Sequence, residues 1–517
     1  MSHQKSFGAT VLAPRSKFYQ GPFGRICPDL EPWAPPGDED AQDAFFLDFA
    51  RDNMVERPGQ APGDLAGDPA AITDLENEFG SNIPAGYTYF GQFVDHDITL
   101  DTTSLQARQI DPDRILNFRT PRLDLDCVYG RGPGDQPYLY EHDADGLTGR
   151  MLIGKVDGFN LRDLPRNAQG RALIGDMRND ENAMVSQLQL AFLLAHNTLV
   201  DRAEAAGVSD PFAAARKTLT RLYHWVLWHD FLKRITVDEV HGCALKLEDL
   251  CGGRKAWELG LDDVYKWKHQ PFMPVEFSGA AYRFGHSMVR NAYRTNFLHR
   301  GFTLDDAAPI FDNTGANDPD DLRGFRPMKA ANVIQWDWFL QMTSSQGDFP
   351  QMARKIDTKL ANALVHLHEG PANTADNVLA FRNLKRGVNL GLPSGLDVAK
   401  KYCLNPISLG PDEPQSLWYY VLKEAESLPG ANRGQMLGRL GSTIICAVFA
   451  GLLKGDPCSF FNTDPCWTPD DDPLLRPGDD NQDSPSDSHV PNDGWALASI
   501  IRISGLPVDG GDINAQS

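Results

Sequence analysis

Apolar residues recur along this chain mostly at three- and four-residue spacing, the signature of helices with one buried face, and strand-like alternation is sparse. The segment from Ile83 leads into an opening helix that should end near Thr99. A long helical pattern starts at Gly175, with acidic residues in its first turn, and runs to Asn197. Arg221–Leu232, the small-residue stretch Val275–Val289, Asn377–Gly387, the apolar run Arg433–Lys454 and Trp495–Ile503 read as further helices. Residues 1 to about 70 are rich in Pro, Gly and Asp and read as an extended arm over the body. Residues 131–170 read as loop, and 300–350 as short apolar pieces among Asp/Gly loops. The acidic, Pro-rich stretch 468–488 reads as a mobile loop. With no internal repeat, the pattern predicts a mainly α fold, one large helical domain with long loops.

Three polar interruptions of this pattern carry chemistry. In Gly91-Gln92-Phe93-Val94-Asp95-His96-Asp97-Ile98-Thr99-Leu100-Asp101, three consecutive ionisable residues sit in an apolar run. Burying them costs several kcal/mol, on the order of 2–7 for each polar group left without a partner. On a helix Asp95, His96 and Asp97 point in three directions, whereas Gln92 and His96 share a face. A satisfied polar helix end and a reaction site both fit this stretch. In an extended Thr120–Asp126, Thr120, Arg122, Asp124 and Asp126 point to one side. Their oxygens suit Ca²⁺, and a solvated acidic loop is the alternative. Arg178 and Glu181 share a helix face, as do Arg283 and His286. Gly285 beside His286 leaves room for a flat, bulky group, although a core histidine would look the same. His196 reads as a structural polar residue.

Composition narrows the function. Lys plus Arg is 49 against 70 Asp plus Glu, a net charge of −21, which argues against nucleic acid or an anionic membrane as the main partner. No apolar run approaches the ~20 residues of a membrane span. The N-terminal Met1–Gly8 lacks the apolar core of a classical secretion signal, so a cytoplasmic or non-classically secreted protein is expected. Eight cysteines without a CxxC pattern argue against structural zinc. Cys243/Cys251 and Cys458/Cys466 could close short loops, but free thiols are the expectation.

The motifs, in this order, resemble the animal-type haem peroxidases of the peroxidase–cyclooxygenase superfamily, and among them bacterial-type members related to myeloperoxidase and lactoperoxidase. The motifs are Gly91–Asp97, Thr120–Asp126, Arg178–Glu181, and Arg283-Phe284-Gly285-His286 followed by Asn383. Leu392-Pro393 and Gly441–Pro457 also look like family sequence. The resemblance covers roughly residues 20–507, leaving 1–19 as an N-terminal arm and 508–517 as a tail. It implies haem b as cofactor, H₂O₂ as oxidant and formation of Compound I, with halides, thiocyanate or small aromatic molecules as donors. His96 would be the distal acid–base, Arg178 its cationic partner, and Gln92 the holder of distal water or halide. His286 would be the proximal iron ligand, with Asn383 accepting its other ring proton, and Arg283 would contact the cofactor. Asp97, Thr120, the Arg122 carbonyl, Asp124 and Asp126 would bind Ca²⁺. Asp95 and Glu181 stand where ester bonds to haem methyl groups form.

Departures from the family qualify this. Asn182 stands where myeloperoxidase-like enzymes carry Met, so a sulfonium link is not available. Asp126 stands where Ser is common. Arg283 occupies the place of the radical tyrosine of fatty-acid oxygenases, and Tyr282, one position off, is expected to face elsewhere. A fatty-acid dioxygenase is therefore the disfavoured alternative. A haem- and calcium-binding adhesion module without turnover is the other, and it would need neither His96 nor Arg178.

Overall fold

The computed structural model describes residues 23–60, 69–100, 117, 119–250, 253–267, 271–297, 307–311, 320–342, 350–365, 367, 374–481, 494–509 and 511–513. Its long helices are, in chain order, α1 (Glu39–Asn53), α2 (Pro69–Phe79), α3 (Gly86–Ile98), α4 (Ala183–Ala205), α5 (Pro211–Trp225), α6 (Leu379–Asn389), α7 (Leu417–Glu426), α8 (Arg439–Gly455) and α9 (Leu497–Ser504). The sheets among the described residues are two-stranded. The fold is mainly α.

The opening helix α3 forms where the pattern places it. The strand Gly80–Pro84, antiparallel to Met352–Arg354, delivers the chain to it. Gly86 starts α3 pressed against the Phe339 carbonyl and Leu340, where a Cβ would lie under 3 Å from both. Phe93 stacks on Phe192 of α4 at 4.4 Å between ring centroids, and Tyr223 of α5 closes edge-on against both rings. This aromatic wedge fixes the rotation of α3. At its end the Thr99 hydroxyl donates to the Asp95 carbonyl, and Arg178 donates to the carbonyls of His96 and Thr99.

Several expectations are corrected. The first 70 residues do not form only an extended arm. Asp38 caps α1 through the Ala41 N–H, and the α1 face holding Phe46 and Ala50 is buried. The 131–170 stretch contains a hairpin, Tyr140–Asp143 with Gly146–Met151, and a second short pair, Gly154–Lys155 with Arg162–Asp163. The pattern from Gly175 is not one helix. Met177–Asp180 is a 3-10 turn started by Asp176, and α4 begins anew where the Asn182 side chain accepts from the Val185 N–H. Arg221–Leu232 passes from α5 into a π-helical turn at Val226–Leu232. The 275–289 stretch breaks at Gly279, where a Cβ would collide with Leu390 and the Val275 carbonyl, and resumes as a 3-10 helix over Ala281–Met288. Helix α8 starts only at Arg439, because the Glu424 carboxylate of α7 accepts the N–H groups of Leu440 and Gly441 there.

The acidic stretch is tied down over its described part. Arg202 of α4 pairs with Asp480, Thr218 donates to Asp472, and the Trp495 indole donates to Asp470. Residues 482–488, the arm 1–19 and most of the tail lie outside the described residues. Helix α4 is long and apolar enough to cross a bilayer by length and composition, but most of it is buried inside the protein. Cys27, Cys127, Cys243, Cys403, Cys446, Cys458 and Cys466 are free thiols. Cys251 lies outside the described residues.

Candidate active site

Two imidazoles line one chamber. His96 comes from α3 and His286 from the 3-10 helix Ala281–Met288. Gln92, Asp95, Glu181, Asn182, Tyr282, Arg283 and Gly285 share the lining, with apolar walls from Phe231, Met288, Ile310, Phe311, Leu364 and Leu379. Above Gly285 the space is open, since a Cβ there would meet nothing within 4 Å. An annex beside the chamber is lined by Asp95, Thr99, Arg178, Arg283 and Arg386.

The three neighbours on α3 serve three partners. Asp97 turns to the 119–126 loop, where its carboxylate accepts from the N–H groups of Leu125 and Cys127. Asp95 accepts from the Thr99 hydroxyl at 3.0 Å. His96 holds Asn179 at 2.7 Å through Nδ1. Burial, reinforced by the Arg178 charge, pushes the His96 pKa down to about 3, so the ring is neutral. Burial, aided by Arg283, holds His286 well below its usual value as well. Burial raises the Asp95 carboxyl against the pull of Arg178 and Arg283.

Arg178, expected as the cationic partner of His96, is not among the residues lining the chamber. It lines the annex, pairs with Asp176 at 2.7 Å and binds the carbonyls at the end of α3. Burial works against the Asp176 charge, yet Arg178 and Arg119 together hold its pKa well below the usual range. Gln92 donates to Glu181 and accepts from Asn182 at 3.1 Å. Asn182 therefore has two jobs, capping α4 and orienting Gln92.

Asn383 of α6 stands 2.9 Å from Nδ1 of His286, with its amide nitrogen toward the ring. Amide oxygen and nitrogen are interchangeable by a flip unless another contact fixes them. The Trp418 indole donates to the Arg283 carbonyl at 3.2 Å and steadies the segment bearing His286. Tyr282 is a correction: it lines the chamber, and its hydroxyl reaches across to the Gly91 carbonyl at 3.2 Å. Its ring lies flat on Phe277 at 4.8 Å, which holds it along the chamber edge.

Carboxylate oxygens of Asp97, Asp124 and Asp126 lie within 4.8 Å of one another. The loop bringing them together is not simply extended. Leu125 has φ 57°, and this left-handed kink breaks the alternation assumed for Thr120, Arg122, Asp124 and Asp126. A non-glycine residue held there costs about 1–3 kcal/mol. Thr120 donates to Asp124 at 2.9 Å, and Arg119 bridges Asp126 and Asp176. Burial, then the neighbouring Asp124, raises the Asp97 pKa to about 7, while burial holds Asp126 well above the carboxylate range. His196, by contrast, is a structural residue, bonded to the Tyr129 hydroxyl and the Gly149 carbonyl.

The sequence model of the animal haem peroxidase family matches residues 102–408, more than half of the chain. The chain belongs to the animal haem peroxidase family. The match includes the 119–126 loop, Arg178, His286 and Asn383, and α3 with His96 lies just upstream of it. Peroxidase mlt-7 of Caenorhabditis elegans is 21% identical over 215 residues, 38% of this chain and 27% of that protein, so the match spans about a quarter of that relative. Among solved structures, Peroxidase A from Dictyostelium discoideum aligns with TM-score 0.54 at 15% identity, covering 86% of this chain and 91% of its own. Oryza sativa fatty acid alpha-dioxygenase aligns with TM-score 0.53 at 14% identity, covering 100% of this chain and 88% of its own. At these identities the likeness is one of fold, shared by the peroxidase and dioxygenase branches.

Sequence reasoning missed Arg386, Asn179 and Gln189. Arg386 was legible, being three residues after Asn383 on one helix face. Gln189 was visible as an amide inside an apolar helix. Nothing local paired Asn179 with His96, 83 residues away.

Proposed function

We propose that the protein is a haem peroxidase that oxidises halides, thiocyanate or small aromatic donors with H₂O₂. One observation carries the reading: a single chamber holds a neutral histidine on each of two elements, an open floor above Gly285, and an arginine-lined annex. A porphyrin has an apolar macrocycle and two carboxylates, and this lining matches both. Bound haem would supply iron-centred redox chemistry. His286 would ligate it through Nε2, and Asn383, with its amide turned so that oxygen faces the ring, would accept Nδ1–H. Arg283, Arg386 and Arg178 would hold the carboxylates. His96 takes a proton from one peroxide oxygen at Nε2 and returns it to the other, which a neutral imidazole suits. Gln92 keeps its second amide hydrogen for a water or halide.

The Asp97, Asp124 and Asp126 carboxylates with Thr120 and the Arg122 carbonyl form a hard-oxygen set for Ca²⁺. Asp95 and Glu181 present carboxylates to the chamber and are proposed to form ester links to haem methyl groups under peroxide.

Tyr282 favours a second reading, oxygenation of a fatty acid, because a tyrosine does line this apolar chamber. Palmitic acid, which appears with an Oryza sativa dioxygenase variant, is the probe. The test is the visible spectrum of purified protein before and after H₂O₂, followed by peroxide consumption with bromide or an aromatic donor and oxygen uptake with palmitic acid. Absence of a haem band, or of peroxide turnover, ends the peroxidase reading. Oxygen uptake with palmitic acid but no donor oxidation selects the second.

A further inference from the structure

We propose that Asn179 and Gln189 are positioning residues that set the tautomer of His96 and tie it to the backbone of the acidic loop. The chain of contacts has only one possible direction. The Cys127 carbonyl can only accept, so the Gln189 amide nitrogen must face it, at 3.2 Å. That leaves Gln189 Oε1 toward Asn179, whose amide nitrogen donates to it at 2.7 Å. Asn179 Oδ1 then faces His96 Nδ1 at 2.7 Å, and an acceptor there requires the proton on Nδ1. Nε2 is left with its lone pair. This is the state a base needs when the chamber side must take a proton first.

His96, Asn179 and Gln189 are all buried, so water does not compete for these bonds. A buried amide turned the wrong way would leave two groups unsatisfied. The anchor is well placed, because Cys127 follows Asp126 and its N–H binds the Asp97 carboxylate. The relay thus joins the acidic loop to the imidazole through space, in addition to the covalent neighbourhood of His96 and Asp97. Among the described residues no carbonyl anchors Asn383 behind His286 in this way.

The catalytic meaning of the tautomer rests on the peroxidase reading; the tautomer itself does not. Isotope-labelled histidine in the full-length protein, reduced under carbon monoxide so that bound haem is diamagnetic, reports by NMR which His96 nitrogen carries hydrogen. A His96→Gln spectrum assigns the signal. The expected wild-type result is Nδ1–H at neutral pH. Asn179→Leu should shift the population toward Nε2–H and slow the reaction with peroxide by at least ~10²-fold, the lower end for general acid–base groups. Asn179→Asp retains an acceptor and should keep the Nδ1–H form and far more of the rate. Gln189→Met, which loosens the amide without removing it, should give a mixture and serves if the Leu variant does not fold. Loss of stability alone would not move the tautomer. Nε2–H in the wild type, or an unchanged tautomer and rate in Asn179→Leu, overturns the proposal. Nδ1–H in a wild type that does not consume peroxide leaves the relay standing and removes the peroxidase reading.

Discussion

Stripping Ca²⁺ with a chelator should destabilise this protein by an amount that grows as pH rises. The Asp97, Asp124 and Asp126 oxygens lie within 4.8 Å of one another. Two unit charges at that distance repel by about 3–4 kcal/mol at an effective dielectric of 20. Three ionised carboxylates would therefore oppose folding by roughly 10 kcal/mol, the scale of a whole domain's stability. Arg119, 3.3 Å from Asp126, offsets only part of this. Without a cation the site must gain protons, in keeping with an Asp97 pKa raised to about 7, chiefly by burial. The sign follows from proton counting. A folded pKa above the unfolded 3.8 means that the folded metal-free form holds more protons. Its stability then falls as pH rises from about 4 through 7, by up to ~1.4 kcal/mol per pH unit for one proton. A calcium-loaded form would have its carboxylates already ionised and would lack that slope. For a chain of 517 residues, each kcal/mol moves the thermal midpoint by about 1 °C. Calorimetry with and without calcium should show a gap of a few degrees that widens from pH 5 to pH 8, and calcium binding near pH 6 should release protons. A gap independent of pH, or active protein free of calcium by metal analysis, would refute the reasoning.

His286→Ala should lose iron ligation and most of the haem; an unchanged Soret band in that variant would show that the ligand lies elsewhere. His96→Ala should keep haem but slow the peroxide reaction by the ~10²–10⁴-fold typical of general acid–base groups, measured by stopped flow; near-wild-type kinetics would contradict it. After peroxide cycling, acidified organic solvent should fail to extract haem from the wild type yet extract it from an Asp95→Val, Glu181→Gln double variant. Mass spectrometry finding only free haem in the treated wild type would exclude the ester links and leave the peroxidase reading intact.

The apolar spacing by itself determined the class of the fold and the place of α3, because a helix closes its hydrogen bonds within one turn and needs only neighbours in sequence. It also determined that Asp95, His96 and Asp97 must look three ways. The breaks at Asn182 and Gly279 were less legible. The Gly279 break depends on the crowding of Leu390 at the end of another helix, whereas the Asn182 cap is local, its side chain accepting from the Val185 N–H three residues on. Which partner each polar group found was decided by tertiary structure alone. Arg178 went to Asp176 and the end of α3, Tyr282 crossed to Gly91, and His96 met Asn179. Apart from the Arg178–Asp176 pair, these contacts join residues far apart in the chain, and Phe93 and Phe192 dock α3 onto α4 in one rotation that brings them within reach. Sequence spacing carries no record of that rotation, nor of the Cys127 carbonyl that gives the buried amides their direction.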